Sequence, residues 1–240
     1  MACFIKLVVA FAAASAVTTA VPAPAQTSTF QARIEIKHSH DRMAHSRDEN
    51  AVVWLQALDQ TTAEQPLEHS ERHYEMVQRD KQFHPHVLAV LVGSAVIFPN
   101  DDPFFHNVFS LYQGKKFDLG LYEAGSSRSV RFDKPGVSFI FCNIHPEMNA
   151  YLVALDTPYF TVTGSDGVAR ISGVPPGRYR MQVWYEWAES DELNHLAREI
   201  TLPNDATSIA HIQLHESDRM MPAHNDKHGR PYEADRAPYQ

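Results

Sequence analysis

Cysteine is almost absent: 240 residues hold two, Cys3 and Cys142. At most one intrachain disulfide can form, which excludes a disulfide-stapled scaffold. Positive charge is also in deficit, 21 Lys and Arg against 29 Asp and Glu. That balance argues against nucleic acid or an anionic membrane surface as a partner. Long apolar runs are missing too. The run from Leu7 to Val17 and "VLAVLVGSAVIF", split by Gly93, are both too short to cross a bilayer comfortably. Helical periodicity is scarce, and no internal repeat is evident.

What is present begins with "MACFIKLVVAFAAASAVTTAVPAPAQ". One early positive charge, a short apolar run and a small-residue segment ending at Ala25 have the layout of a secretory signal peptide. Cleavage is expected near Ala25, giving a periplasmic or secreted protein without a transmembrane segment; an uncleaved anchor is the weaker alternative. Loss of residues 1–25 removes Cys3 and Lys6 and leaves 20 Lys and Arg against 29 Asp and Glu. One thiol, Cys142, then remains in an oxidising space, where it needs burial or a bound partner.

Short β-branched and aromatic runs bounded by Gly, Pro, Asn and Asp dominate the rest, as in an all-β sandwich. Alternation is clearest in "GRYRMQVWYE", where Tyr179, Met181, Val183 and Tyr185 share one face and Arg178, Arg180, Gln182 and Trp184 the other. "GSDG" at 164–167 reads as a hairpin turn. Residues 39–50 and 60–72 read as polar loops. The expected division is a signal peptide, 1–25; N-terminal strands and linker, 26–72; a central β-domain, 73–156; a second β-module, 157–215; and a disordered polar tail, 216–240. "ENAVVWLQAL" looks like a strand of the second module, which would make the central domain an insertion.

The residues that carry chemistry are in "FPNDDPFFHNVFS" (98–110) and "FCNIHPEM" (141–148). The second places a thiolate, an imidazole and a thioether on one short loop: Cys142, His145 and Met148. The first adds His106 from a distant strand. Two His, one Cys and a weak axial Met suit a single copper ion cycling between Cu(I) and Cu(II). Zinc would take more thiolates or a carboxylate.

These residues resemble the cupredoxins. "CNIHPEM" has the spacing of the amicyanin ligand loop, and "HNV" matches the upstream ligand motif. The stretch from about 73 to 157 is similar to exported plastocyanin/amicyanin-like proteins often labelled methylamine utilization proteins. Residues 158–187 resemble the β-sandwich module called carboxypeptidase regulatory-like. The resemblance implies a Greek-key cupredoxin sandwich plus a second small β-sandwich. It implies His106, Cys142 and His145 as equatorial copper ligands and Met148 as the axial one. Asn107 would tie the two ligand loops together by hydrogen bonds, and Pro146 would stiffen the loop. The implied function is non-enzymatic: single electrons carried to and from a redox partner protein, through the edge of His145 and a patch of Phe104, Phe105 and Ile144.

Other readings stay open at this level. Glu147 competes with Met148 for the axial position. His84 and His86, expected to alternate along one strand, could form a second site. So could His38, His40 and His45, or the tail set His215, Met220, Met221, His224 and His228; surface histidine is the plainer account of each. Trp184 and Trp187 read as module packing or surface. A copper chaperone or sensor, and a structural protein with a degenerate site, are the alternative functions.

Overall fold

The computed structural model describes residues 27–37, 50–59, 73–111, 114–207, 209–217 and 226–230. The expected signal peptide, nearly all of both polar loops, His38, His40, His45, Met220, Met221 and His224 lie outside the described residues. The described chain is all-β with one short α-helix, and no helix in it is long and apolar enough to cross a membrane.

The N-terminal strands are β1 (Ser28–Lys37) and β2 (Val52–Ala57). The central segment carries β3 (Tyr74–Glu75), β4 (Val77–Arg79), β5 (Gln82–His84), β6 (Val87–Leu91) and β7 (Ala95–Pro99). It continues with β8 (His106–Ser110), β9 (Phe117–Tyr122), β10 (Ser127–Arg131), β11 (Gly136–Phe141) and β12 (Asn149–Leu155). Then follow β13 (Phe160–Val162), β14 (Val168–Val174), β15 (Gly177–Trp184), α1 (Ser190–Leu196), β16 (Arg198–Leu202) and β17 (Ala210–His215).

The central strands form two facing sheets in the orders β10-β7-β3 and β6-β12-β11-β8-β9. Their inward side chains, among them Phe98, Val108, Phe132, Ile140, Leu152 and Cys142, make one buried cluster. The outer strands form another pair of sheets, β14-β1-β17 and β13-β2-β15-β16. β1 lies between β14, antiparallel, and β17, parallel; β2 lies between β13 and β15. Strands from before and after the central segment therefore share sheets, around a core that includes Phe30, Ile34, Leu55, Tyr179 and Met181. Tyr179, Met181 and Val183 face this core, while Trp184 on the opposite face packs elsewhere.

Elsewhere is the contact between the two pairs of sheets. β12 is buried along nearly its whole length. Ala150, Leu152 and Ala154 face the central core, and Tyr151, Val153 and Leu155 face the outer sheets. Burial on both faces explains its continuous apolar sequence, "AYLVAL". Tyr151 meets the Trp184 ring at 5.2 Å between centroids, and Val52 and Val87 complete the cluster.

Several local expectations change. Within the central segment, buried Met76 separates β3 from β4. β4 then folds back onto β5 through Asp80 and Lys81, both at φ 55°. Two successive left-handed residues match the right-handed twist of a hairpin. His84 and His86 do not share a strand: His84 ends β5, and His86 lies beyond a cis His84–Pro85 bond, before β6. α1 was not anticipated because it has no buried residue and hence no apolar period; its acidic first turn suits the helix dipole. Residues 226–230, read from composition as disordered tail, form a turn held against the central domain.

Leu152 is fully buried in β12, between β6 and β11 of the five-stranded sheet. Leu152→Ala is expected to cost about 2–5 kcal/mol, the range for a truncated core leucine. Urea unfolding of the metal-free protein measures it.

Candidate metal centre

His106 opens β8 and Cys142 directly follows β11, so the pairing of these strands at Phe109 and Phe141 sets their separation. The loop 142–148 then turns tightly into β12. The Met148 N–H donates to His145 C=O at 3.0 Å, and the Cys142 N–H to Met148 C=O at 3.1 Å. This folds His145 back over Cys142.

Three donor atoms converge. Cys142 Sγ lies 3.6 Å from His106 Nδ1 and 3.6 Å from His145 Nδ1, and the two nitrogens are 3.2 Å apart. Metal–nitrogen and metal–sulfur bonds of about 2.0–2.3 Å would let all three donors reach a single ion. The residues present therefore fit one trigonally held metal ion. Among the described residues this is the one group of three His, Cys, Asp or Glu side chains close enough to hold a metal. Met148 is fully buried in the cluster that contains Cys142, whereas Glu147 is exposed, so burial separates the two axial candidates. Pro146 is exposed beside His145.

Each donor is prepared electrostatically. Burial pushes the Cys142 thiol above its ordinary pKa, and backbone N–H groups of Asn107, Ile144 and His145, directed at the sulfur, pull the other way. The thiol stays protonated at neutral pH until a cation replaces its proton. His145 is pushed down to about 4, first by burial and then by neighbouring His106 and Lys81. His106 is lowered by burial, against the pull of Asp102. Both imidazoles are thus neutral at neutral pH, with nitrogen lone pairs ready for a metal.

Asp102 is a residue of the site that sequence reasoning missed. Its Oδ2 accepts from His106 Nε2–H at 2.7 Å, which leaves Nδ1 facing the other donors. Burial alone would raise the Asp102 pKa, but the bonds from His106 and from the N–H groups of Lys81 and Asp80 hold it below the usual range. The β4–β5 hairpin tip is thereby tied through Asp102 to His106. A carboxylate four residues before a candidate ligand was the available signal, but within "NDDP" it reads as turn chemistry.

Asn107 is fully buried, and its Nδ2 donates to Asp118 Oδ1 at 2.8 Å. Phe104 stacks near both imidazoles, 5.2 Å from His106 and 5.6 Å from His145 between centroids, with Lys81 Nζ over its ring. His145 is half-buried; Phe105, which precedes His106, is 49% exposed, and Leu121, opposite Asn107, 51%; Leu121 was not anticipated. Ile144 is half-buried.

Among the described residues the other histidines do not join a metal group. His84 is exposed, and His86 Nε2 sits 3.0 Å from Glu186. His215 Nδ1 meets Glu192 at 2.9 Å. Trp187 packs partly against the outer core.

No family model matches the chain, and no curated protein matches it. Solved structures similar to part of it include a copper-containing nitrite reductase (NirK) from Thermus scotoductus SA-01. It is 26% identical, with a TM-score of 0.35, over 36% of this chain and 23% of that one. A purple cupredoxin from Nitrosopumilus maritimus is 22% identical over 34% of this chain and 99% of its own, with a TM-score of 0.32. A Cu(I) form of an amicyanin variant is 19% identical over 35% and 82%, with a TM-score of 0.33. The chain spans less than a quarter of the nitrite reductase.

The depressed imidazoles give the metal-free protein a defined acid response. His145 binds its proton near pH 4 when folded and near 6.5 when unfolded, so the unfolded state holds more protons between these values. This contribution is complete above about pH 6.5 and is lost as the pH falls towards 4. Urea unfolding at pH 7, 5.5 and 4 is expected to show a decline that is shallower in His145→Gln.

Proposed function

We propose that this chain is an exported type 1 copper protein that carries single electrons between redox partners and transforms no substrate itself. The observation that supports the reading most is the convergence of His106 Nδ1, His145 Nδ1 and Cys142 Sγ within 3.6 Å of one another. That donor set, with a buried methionine at the end of the same loop, suits copper better than zinc. Bound copper supplies a one-electron couple between Cu(I) and Cu(II).

The protein's own groups do the rest. His106, Cys142 and His145 would hold the ion, and Met148 would be its weak fourth donor. Asp102 fixes the His106 ring, and three N–H groups favour the thiolate. The donors are held from two strands and a hydrogen-bonded loop, which would limit their movement on one-electron chemistry at a bound ion. Phe104, Phe105, Ile144 and Leu121 form the apolar surface where a redox partner docks briefly, with electrons passing at His145; small patches suit such encounters. Export places this work in the periplasm or outside the cell.

Adding Cu(II) to the metal-free protein is expected to give an intense visible thiolate-to-copper band. Cys142→Ser should abolish that band and most Cu(I) affinity while the fold survives. A colourless adduct, or preference for zinc over copper, overturns the electron-carrier reading.

Met148→Gln tests the axial assignment. With three strong ligands intact, copper should remain bound, while the harder amide oxygen favours Cu(II) and lowers the potential. A tenfold change in the Cu(I)/Cu(II) balance corresponds to about 59 mV for one electron. If Met148 were only core, burying an amide without partners would cost roughly 1–3 kcal/mol and leave the potential unmoved. Voltammetry and thermal unfolding of the same variant separate the two.

A further inference from the structure

The turn 226–230 lies far along the chain from the donors, yet it bonds to β9, the neighbour of the strand that carries His106, and to the loop that begins at Cys142. Asp226 shapes it, its Oδ1 accepting from the N–H groups of His228 and Arg230. Lys227 makes two contacts with the central domain. Its backbone N–H donates to Asn143 Oδ1 at 2.8 Å, and Asn143 directly follows Cys142. Its Nζ lies 2.9 Å from Asp118 Oδ2, with only 22% of the lysine side chain exposed. The other oxygen of Asp118 accepts from Asn107 Nδ2 at 2.8 Å. Asn107 directly follows His106, and its own N–H points at Cys142 Sγ.

One residue thus closes a loop of bonds around the sulfur. It runs from Lys227 through Asp118 and Asn107 to Cys142, and back through Asn143 to Lys227. Asp118 also accepts from the Gly120 N–H at 2.9 Å, so the carboxylate is fixed in β9 and transmits the position of the ammonium to Asn107. Isolated exposed ion pairs contribute little. This one is half-shielded and continues into a fully buried amide, where orientation rather than stability is at stake.

We infer that Lys227 is a positioning residue for the metal centre: by holding Asp118 and Asn143, it sets how the Asn107 N–H meets the Cys142 sulfur. The copper arm of this inference rests on the electron-carrier reading; the positioning itself does not. Two consequences follow. The bond from Asn107 draws electron density from the sulfur and weakens its donation to a bound ion. The ammonium adds positive charge beside the centre. Both favour the reduced ion, so the tail segment raises the potential.

The test compares the full chain with Lys227→Met, which keeps the stem and removes the charge, and Lys227→Arg, which restores it. In the metal-free protein, hydrogen exchange and nitrogen-15 shifts are read at Asn107, with Leu152 as a distant control. Lys227→Met is expected to speed Asn107 N–H exchange about tenfold, leave Leu152 unchanged, and recover in Lys227→Arg. In the copper-loaded protein, Lys227→Met should move the visible band and shift the Cu(I)/Cu(II) balance about tenfold towards Cu(II), about 59 mV, with Lys227→Arg restoring most of it. Unaltered Asn107 exchange in Lys227→Met overturns the inference. A lower thermal midpoint with an unmoved band and potential also overturns it, because only a structural role would remain. Absence of a visible band in the unsubstituted protein instead sinks the electron-carrier reading, and the metal-free exchange comparison then decides the role of Lys227 alone.

Discussion

The pairing of β8 with β11 is the constraint on which the centre depends. His106 begins one strand and Cys142 follows the other, and they meet because Phe109 sits opposite Phe141. Strand register is quantised: a slip of one residue would turn His106 away from the core and Asn107 towards it. The register is held by what lies on both sides of it. The run His106–Ser110 is buried throughout, and β11 is flanked by β12 across six paired positions. The donor triangle therefore follows from sheet geometry, and the fold can form without any ion at the site.

Around this register the polar groups work as orienting elements. Asp102 fixes one imidazole from the hairpin side, and Asp118 fixes Asn107 from β9. Both carboxylates are held below the usual range, although burial pushes them up. Each carries its charge because several N–H or ammonium donors converge on it, and each is thereby fixed in position.

The legible part of the site was the part written in residue type and spacing. One cysteine, with His145 and Met148 at intervals of three, leaves few chemistries, and His106 stands out by its Phe-Pro-Asn and His-Asn context. The all-β class was legible for a similar reason, since alternation in β15 reports directly which side chains face the core. What stayed hidden depends on contacts distant in sequence or lacking a periodic signal. Asp102 looks like a turn residue until the ring of His106 is placed against it. Lys227 sits in a stretch whose composition resembles disorder, and its partners lie 84 and 109 positions away. The short helix α1 packs only Leu193 and Leu196 partly against the outer core and has no fully buried residue, too little for a pattern to read. The partition of β12 between two cores likewise cannot be seen in "NAYLVAL", because both of its faces are apolar.

The sharing of sheets between early and late strands also governs the order in which the molecule can be made. β1 is synthesised before both of its partners: its parallel partner aligns Ala32 with Ala210. Its antiparallel partner aligns Ala32 with Ala169. Until those residues leave the ribosome, β1 has two unpaired edges and half a core. The strands from β3 to β12 pair only among themselves in the described residues, so the central sandwich can close while the outer one waits. Long sequence separation slows the closing of the outer sheets and leaves their edges open to wrong pairing. A finished central sandwich shortens that search, because it brings the end of β2 and the start of β13 together before β13 has anything else to pair with.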